Sequence, residues 1–318
     1  MGITLTDLQA TTQDELDNVL HDTVYDKVAL LQWFKRHKKV KSDGGDFKWD
    51  IAYKEYGLAE AIDMNQKITY ETVEMIEQGS DKWKAYLVTA FVTLEERVKN
   101  YGKGQVIDLQ KTKAEYMAKS LQQKLSTDIY VSNPNGKGVT PISTIIDSSA
   151  SYAGLDPATY TTWKAIEDNA TTTMELDGAA TSLMGMYMQA WFGDAAPDVF
   201  FTTKNLLMKY GSIINNKTRY EYGGRDAKEA GMGRTNLFFM GAPIFPDPAC
   251  PAGYFYGLNT DSWQLKVHPE FDMKAQPWMA AEGQSQPFAF KRETIAILNL
   301  KCDQRRVNFK FTALDYTE

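Results

Sequence analysis

The chain has 318 residues, 43% hydrophobic and 24% charged, with a formal net charge of −6; that length can bury one large core or two modest ones, and the acidic balance excludes a protein whose whole surface clamps nucleic acid, though not one inner face near DNA. Two cysteines, Cys250 and Cys302, far apart in sequence, make no disulfide framework and fit a reducing cytoplasm. The first residues, MGITLTDLQATTQDELDNVL, lack the cationic start and apolar core of a secretory signal, and no run of about 18 apolar residues predicts a membrane span.

Residues 4–38 read as helix, with Leu16, Leu20, Val24, Val28, Leu31 and Phe34 in a narrow stripe. So thin a stripe needs the body or a neighbouring subunit to pack on. A basic cluster follows, Lys35, Arg36, Lys38, Lys39 and Lys41, and then a flexible break at Gly44-Gly45. The cluster reads either as a solvated helix end, its cations set against the C-terminal dipole, or as an inter-subunit or lumen-facing electrostatic surface. Sequence-specific DNA reading lacks a recognition-helix context.

Residues 46–95 look extended. Phe47, Trp49, Ile51 and Tyr53 alternate with polar residues, and residues 86–93 carry apolar or β-favouring side chains on both faces. Two such strands around a polar, turn-rich middle predict a ribbon. A lone two-stranded ribbon is marginal in water, so a neighbouring subunit is a natural partner.

Residues 105–128 form a strong helix pattern, with Ile107, Ala114, Met117, Ala118, Leu121 and Leu125 on one side. Asn133-Pro134-Asn135-Gly136 marks the turn after it. Asp156-Pro157 fits a helix start. Residues 173–192 predict a second helix, with Leu176, Ala180, Leu183, Met184, Tyr187, Met188 and Trp191 on a core face. Pro197 breaks it; residues 198–201 form a short buried strand, and Thr202 or Thr203 caps a helix that ends near Tyr210 with Gly211 as its stop. Residues 222–234 are glycine-rich and charged, a mobile loop. Residues 237–269 alternate strands with Pro/Gly turns, and strands are predicted at 294–300 and 306–314 around KCDQR.

Nothing in this pattern carries chemistry. His21, His37 and His268 are the only histidines, and none has metal-ligand spacing. Gly102-Lys-Gly104 and Gly136-Lys-Gly138 lack the rest of a phosphate-binding loop, and Gly231-Met-Gly233 does not link a strand to a Rossmann helix. There is no G-x-S-x-G elbow, and Glu95-Glu96 point to different helix faces. No catalytic, cofactor-binding or metal-binding residue is expected, and no cofactor.

Five collinear stretches carry a resemblance. LLQWFKRHKKV precedes the Gly-Gly break, TLEERVKNYGKGQVIDLQKTKAEYMAKSLQQKL leads into the long helix, and GLDPATYTTW follows. PDVFFTTKNLLMKYGSI and MGAPIFPDPACPAGYFYGLNTDSWQL complete the set. Together they resemble the tailed-bacteriophage major capsid protein family, the Hong Kong 97-like fold, along nearly the whole chain. Pro157 departs from the Arg frequent at its position in that family. The resemblance implies an α+β fold with an N-terminal arm (1–45), an extended β-ribbon loop (46–95), a peripheral domain with a spine helix (96–135 and 288–318) and an axial domain (136–287). It implies pentamers and hexamers of the chain itself, assembled in the host cytoplasm into an icosahedral shell that packages double-stranded DNA non-specifically. A scaffolding protein, a portal and a decoration protein would be further partners, with no membrane.

The alternatives are an encapsulin-like compartment enclosing cargo enzymes and a cytoplasmic enzyme of unrelated fold. Three expectations accompany the capsid reading. The arm and ribbon should extend away from the core to neighbouring subunits. The scaffolding protein should be separate, because the arm pattern begins within the first few residues. The shell should be non-covalent: one branch of the family joins a loop Lys to a neighbour's Asn, but neither Lys54, Lys67, Lys82 and Lys84 nor Asn299 and Asn308 match that branch's pattern.

Overall fold

The computed structural model describes residues 29–37, 39–41, 45–54, 61, 63–64, 74–99, 103–132, 135–171, 173–217, 237–281 and 289–315. Leu16, Leu20, Val24 and Val28 of the stripe, most of the ribbon tip, and the 222–234 loop lie outside them. Helix α1 (Ala29–His37) buries Leu30, Leu31, Trp33 and Phe34. Phe34 meets Trp263 edge-on at 6.1 Å and Trp33 meets Phe201 at 5.9 Å. Strand β1 (Lys39–Lys41) follows it. This part of the expected arm does not reach away from the core; it is built into it. Each large apolar side chain buried contributes about 1.5–3 kcal/mol, and four in nine residues bind the segment far more firmly than the thin upstream stripe implied.

Strand β2 (Phe47–Ala52) buries alternate residues and pairs antiparallel with β3 (Ile76–Asp81), from Phe47↔Asp81 to Ala52↔Ile76. The expected partner was the strand over 86–93. That strand, β4 (Lys84–Val92), instead pairs along its full length with the strand Phe290–Cys302 in the main sheet. The true partner, IEQGSD, has little β-propensity and is specified by packing: a Cβ on Gly79 would stand 2.9 Å from Ile51 Cδ1 and 3.2 Å from Trp49. Glycine there makes room for the two apolar side chains of β2.

Helix α2 (Leu94–Lys99) opens with a reciprocal cap in which Thr93 N–H donates to Glu96 and Glu96 N–H donates to Thr93 Oγ1. Helix α3 (Lys103–Tyr130) is 28 residues long, about 42 Å at 1.5 Å per residue. It buries Ala114, Met117, Ala118, Leu121 and Leu125, as its pattern predicts, and Ile129 one residue beyond the predicted span, while the side chain of Ile107 lies outside the described residues. Tyr86 O–H of β4 donates to Asp128 at 3.0 Å and ties sheet to helix.

After α4 (Ile142–Ile145), Asp156-Pro157 starts only a turn: the Asp156 carbonyl accepts from Thr159 and Tyr160, and a 3-10 turn follows at Thr161–Trp163 before β5 (Ile166–Asp168). Helix α5 (Leu183–Ala190) replaces the longer helix expected over 173–192. Gly178 at φ 107 breaks the upstream half, and Ser182 caps the remainder through Gly185 N–H at 3.1 Å. Strand β6 (Val199–Thr202) lies as expected, and Thr203 caps α6 (Lys204–Lys217) through Leu206 N–H. Gly211 is not its stop; the helix runs through because Ile213 and Ile214 extend its packed face.

Strands β7 (Phe238–Phe239), β8 (Ala242–Pro246), β9 (Phe255–Leu258), β10 (Trp263–Val267), β11 (Lys274–Ala275), β12 (Met279–Ala280), β13 (Phe290–Cys302) and β14 (Phe309–Phe311) complete two sheets. In the first, β13 is the hub, pairing with β4, β10, β11 and β12, while β1 adds parallel to β10. The second runs β5-β14-β9-β6-β8-β7. The strand expected over 306–314 shortens to β14, preceded by a 3-10 turn. Because β10–β12 join the first sheet and β14 the second, a domain division at 287/288 cuts across both sheets. One core cluster unites α1, the ribbon base, α3 and the first sheet; a second fills the space between α5, α6 and the second sheet. The architecture is α+β.

Candidate assembly surfaces

The basic cluster lies where α1 hands over to β1. Arg36 is exposed in the last turn of α1. Lys39 and Lys41 take strand positions opposite Leu265 and Val267, at the edge of the first sheet. The side chains of Lys35, Lys38, Lys39 and Lys41 lie outside the described residues. Lys266, opposite Val40, adds a further cation that the sequence did not flag. Burial and then the neighbouring Lys301 lower its pKa, against the opposing pull of Asp303. Lys301 lies over the Trp49 ring at 5.0 Å and pairs with Asp303 at 2.6 Å.

The base of the ribbon is fixed to its own body. Ser80 N–H donates to Ala153 O at 3.0 Å, Trp83 Nε1 to Gly45 O at 2.7 Å, and Thr140 Oγ1 to Asp81 at 3.0 Å. Tyr53 meets Tyr160 edge-on at 4.8 Å, and Thr162 Oγ1 donates to Tyr53 O. The expectation that 46–95 as a whole extends away is corrected accordingly: the described base packs in cis, and β4 is part of the main sheet. Near the tip, Met64 is fully exposed.

The lysines and asparagines weighed for cross-linking occupy different environments. Lys54 and Lys82 are exposed, Lys84 donates to Gly136 O at 3.1 Å, and Lys67 lies outside the described residues. Both asparagines are buried and fully engaged. Asn299 accepts from Thr140 N–H at 2.9 Å and donates to Lys82 O at 2.8 Å. Asn308 accepts from Asn259 N–H at 2.9 Å and Trp263 Nε1 at 2.8 Å, and donates to Gln304 O at 2.8 Å. They are structural amides.

Several large apolar side chains remain in solvent. On the outer face of the first sheet, Leu87 is 59% exposed beside half-buried Ile295, its cross-strand partner, with Phe91 on the same face. Met188, Trp191 and Phe192, at and beyond the end of α5, are each almost half exposed, although Met188 and Trp191 were expected in the core. Arg306 covers the Phe192 ring at 4.3 Å. Phe238 and Met240 stand out at the β7–β8 hairpin.

Buried cations hold the loop after α4. Arg305 is fully buried and donates to Ile145 O, Asp147 O and Ala150 O, while Lys310 reaches Ser143 O and Glu167. No sequence signal marked either residue; only the fold brings 143–150 against 305–310.

Among the described residues no group of three His, Cys, Asp or Glu side chains could hold a metal ion. His268 accepts from Glu270 N–H and packs between Trp83 and Phe271. Cys250 and Cys302 are free and buried; burial raises both thiols, Cys302 to about 12, far from a reactive thiolate. No described helix is long and apolar enough to cross a membrane.

No family model and no curated protein sequence matches the chain. Solved structures do. The capsid of cyanophage A-1(L) aligns with 91% of this chain and 93% of its own, at a TM-score of 0.64 and 15% identity. The Gordonia phage Cozz structure covers 92% of this chain and 87% of its own, at 0.59 and 13%. The SrpI encapsulin complex of Synechococcus elongatus covers 90% and 89%, at 0.52 and 11%. The chain thus has the Hong Kong 97-like fold seen in phage capsid proteins.

Proposed function

We propose that the chain is a major capsid protein that assembles as pentamers and hexamers into an icosahedral shell packaging double-stranded DNA. The observation that carries this is fold likeness over nine-tenths of both chains to a phage capsid protein. The exposed apolar clusters on the first sheet, after α5 and at the β7–β8 hairpin supply surface for the contacts. Obligate interfaces often bury more than about 2,000 Å², and burial on that scale offsets the mutual repulsion of subunits carrying a net charge of −6, which salt screens beyond about 10 Å. In this reading the protein acts by geometry, not by turnover. The cluster Lys35, Arg36, Lys38, Lys39 and Lys41, together with Lys266, faces either a neighbouring subunit or the packaged DNA. Scaffolding and portal proteins complete assembly in the host cytoplasm, a decoration protein is a further partner, and the shell is held without covalent links.

An encapsulin-like compartment is the second reading, favoured by the encapsulin's coverage of both chains at about nine-tenths. Electron microscopy of the purified particles, with assay of their contents, separates the two. Nuclease-resistant DNA inside a shell supports the capsid reading; protein cargo without DNA supports the compartment; protein that forms no particle alone or with its neighbouring gene products refutes both.

A further inference from the structure

We infer that Asn135-Gly136 is a modification site, where the folded subunit converts spontaneously to aspartyl and isoaspartyl forms through a succinimide. The reaction needs an asparagine side chain in solvent and an unhindered nitrogen on the residue after it. The chain has a single Asn-Gly pair, and both of its residues are exposed in the turn region that follows α3. Gly136 has φ 63, and a Cβ built on it would meet nothing within 4 Å, so the ring has room to close. The other described asparagines in this chain are held back. Asn259, Asn299 and Asn308 are buried, and Asn205, Asn215 and Asn216 sit in the fixed backbone of α6. Asn169 is exposed, but the nitrogen after it, of Ala170, donates to Asp168 Oδ1 at 3.0 Å. At Asn135 the Gly136 nitrogen gives its proton to base and attacks Cγ. A C–N bond forms, the Cγ–Nδ2 bond breaks, and Nδ2 takes up a proton and leaves as ammonia. Water then opens the ring at either carbonyl, with no change of oxidation state. One opening leaves an aspartyl residue; the other reroutes the main chain through Cγ. Either product sets a new carboxylate next to Gly136, whose carbonyl accepts from Lys84 at the start of β4 at 3.1 Å. The rerouted chain is longer at this point and loosens that tie, whether or not the protein builds a shell.

Incubation of the soluble subunit at mildly alkaline pH, followed by peptide mass mapping and isoaspartyl-specific methylation, tests this. The peptide holding Asn135 is expected to convert at least about tenfold faster than the one holding Asn169, and within about threefold of its rate in the urea-unfolded chain. Asn135→Gln, which moves the side-chain carbonyl off the five-membered ring path, is expected to abolish conversion there. Gly136→Ala, which crowds the attacking nitrogen with a Cβ, is expected to slow it about tenfold. Conversion no faster than at Asn169, a folded rate about a tenth of the unfolded one or less, or an undiminished rate in either variant would each overturn the assignment.

Discussion

Gly257 offers the sharpest test of the second sheet. It sits in β9 between Phe309 on β14 and Phe200 on β6. A Cβ at this position would meet Phe309 Cε1 at 2.3 Å and Cζ at 2.7 Å. Carbon atoms pack at about 3.5–4.0 Å, so the ring would have to retreat by about 1 Å or more. It has nowhere to go: Phe309 is fully buried, with the Phe200, Phe255 and Phe311 rings at 6.1, 6.4 and 5.9 Å. Overpacking usually costs about 1–3 kcal/mol, and an enclosed aromatic neighbour puts Gly257→Ala at the top of that range, about 3 kcal/mol. The measurement is urea unfolding of dilute, unassembled subunits, because assembly would add concentration-dependent stability. Phe309→Ala alone should lose about 3–5 kcal/mol. Combined with Gly257→Ala it should lose less than the sum by about 1–3 kcal/mol, since the added methyl then fills part of the space left by the ring. A loss below about 1 kcal/mol for Gly257→Ala, or strict additivity in the double variant, would refute the stacked register of β9 and β14.

Leu87→Glu places a charge on the outer face of the first sheet; subunit stability should stay within about 0.5 kcal/mol while particle yield in microscopy falls sharply, and normal particles would remove that face from the interface. Mature particles boiled in detergent should run as one band near 35.9 kDa; a ladder of multimers would show covalent links. At Asp147, burial works to raise the carboxyl, but hydrogen bonds from Ser149 and Ala150 and the Lys310 charge prevail, and its folded pKa lies below the ordinary value. A depressed acid pKa contributes stability that is complete above the unfolded value of about 3.9 and is lost as pH falls through the folded value. Unfolding free energy should therefore decline below about pH 4, less steeply in Asp147→Asn, and equal acid slopes for the two proteins would contradict this.

Local rules written in the sequence determined the elements that need no distant partner. The α3 pattern specified its own buried face, Thr203 its cap, and the alternation of Phe47, Trp49 and Ile51 its strand. The order of the motifs along the chain carried the fold class. Tertiary structure alone decided the pairings. IEQGSD becomes a strand because Gly79 accommodates Trp49 and Ile51, which no local propensity foretells. The strand over 84–92 leaves the ribbon for β13 because nine consecutive pairs there outweigh a contact with 47–52. Gly211 fails to stop α6 because packing of Ile213 and Ile214 exceeds the small penalty of glycine in a helix. Residues 29–37 and 39–41 join the core through partners some 170 to 230 residues downstream: Asp247, which accepts from Leu30 N–H, and the rings of Phe201 and Trp263. Interactions between residues that far apart leave no periodicity to read, and they exist only once the chain has brought its ends together.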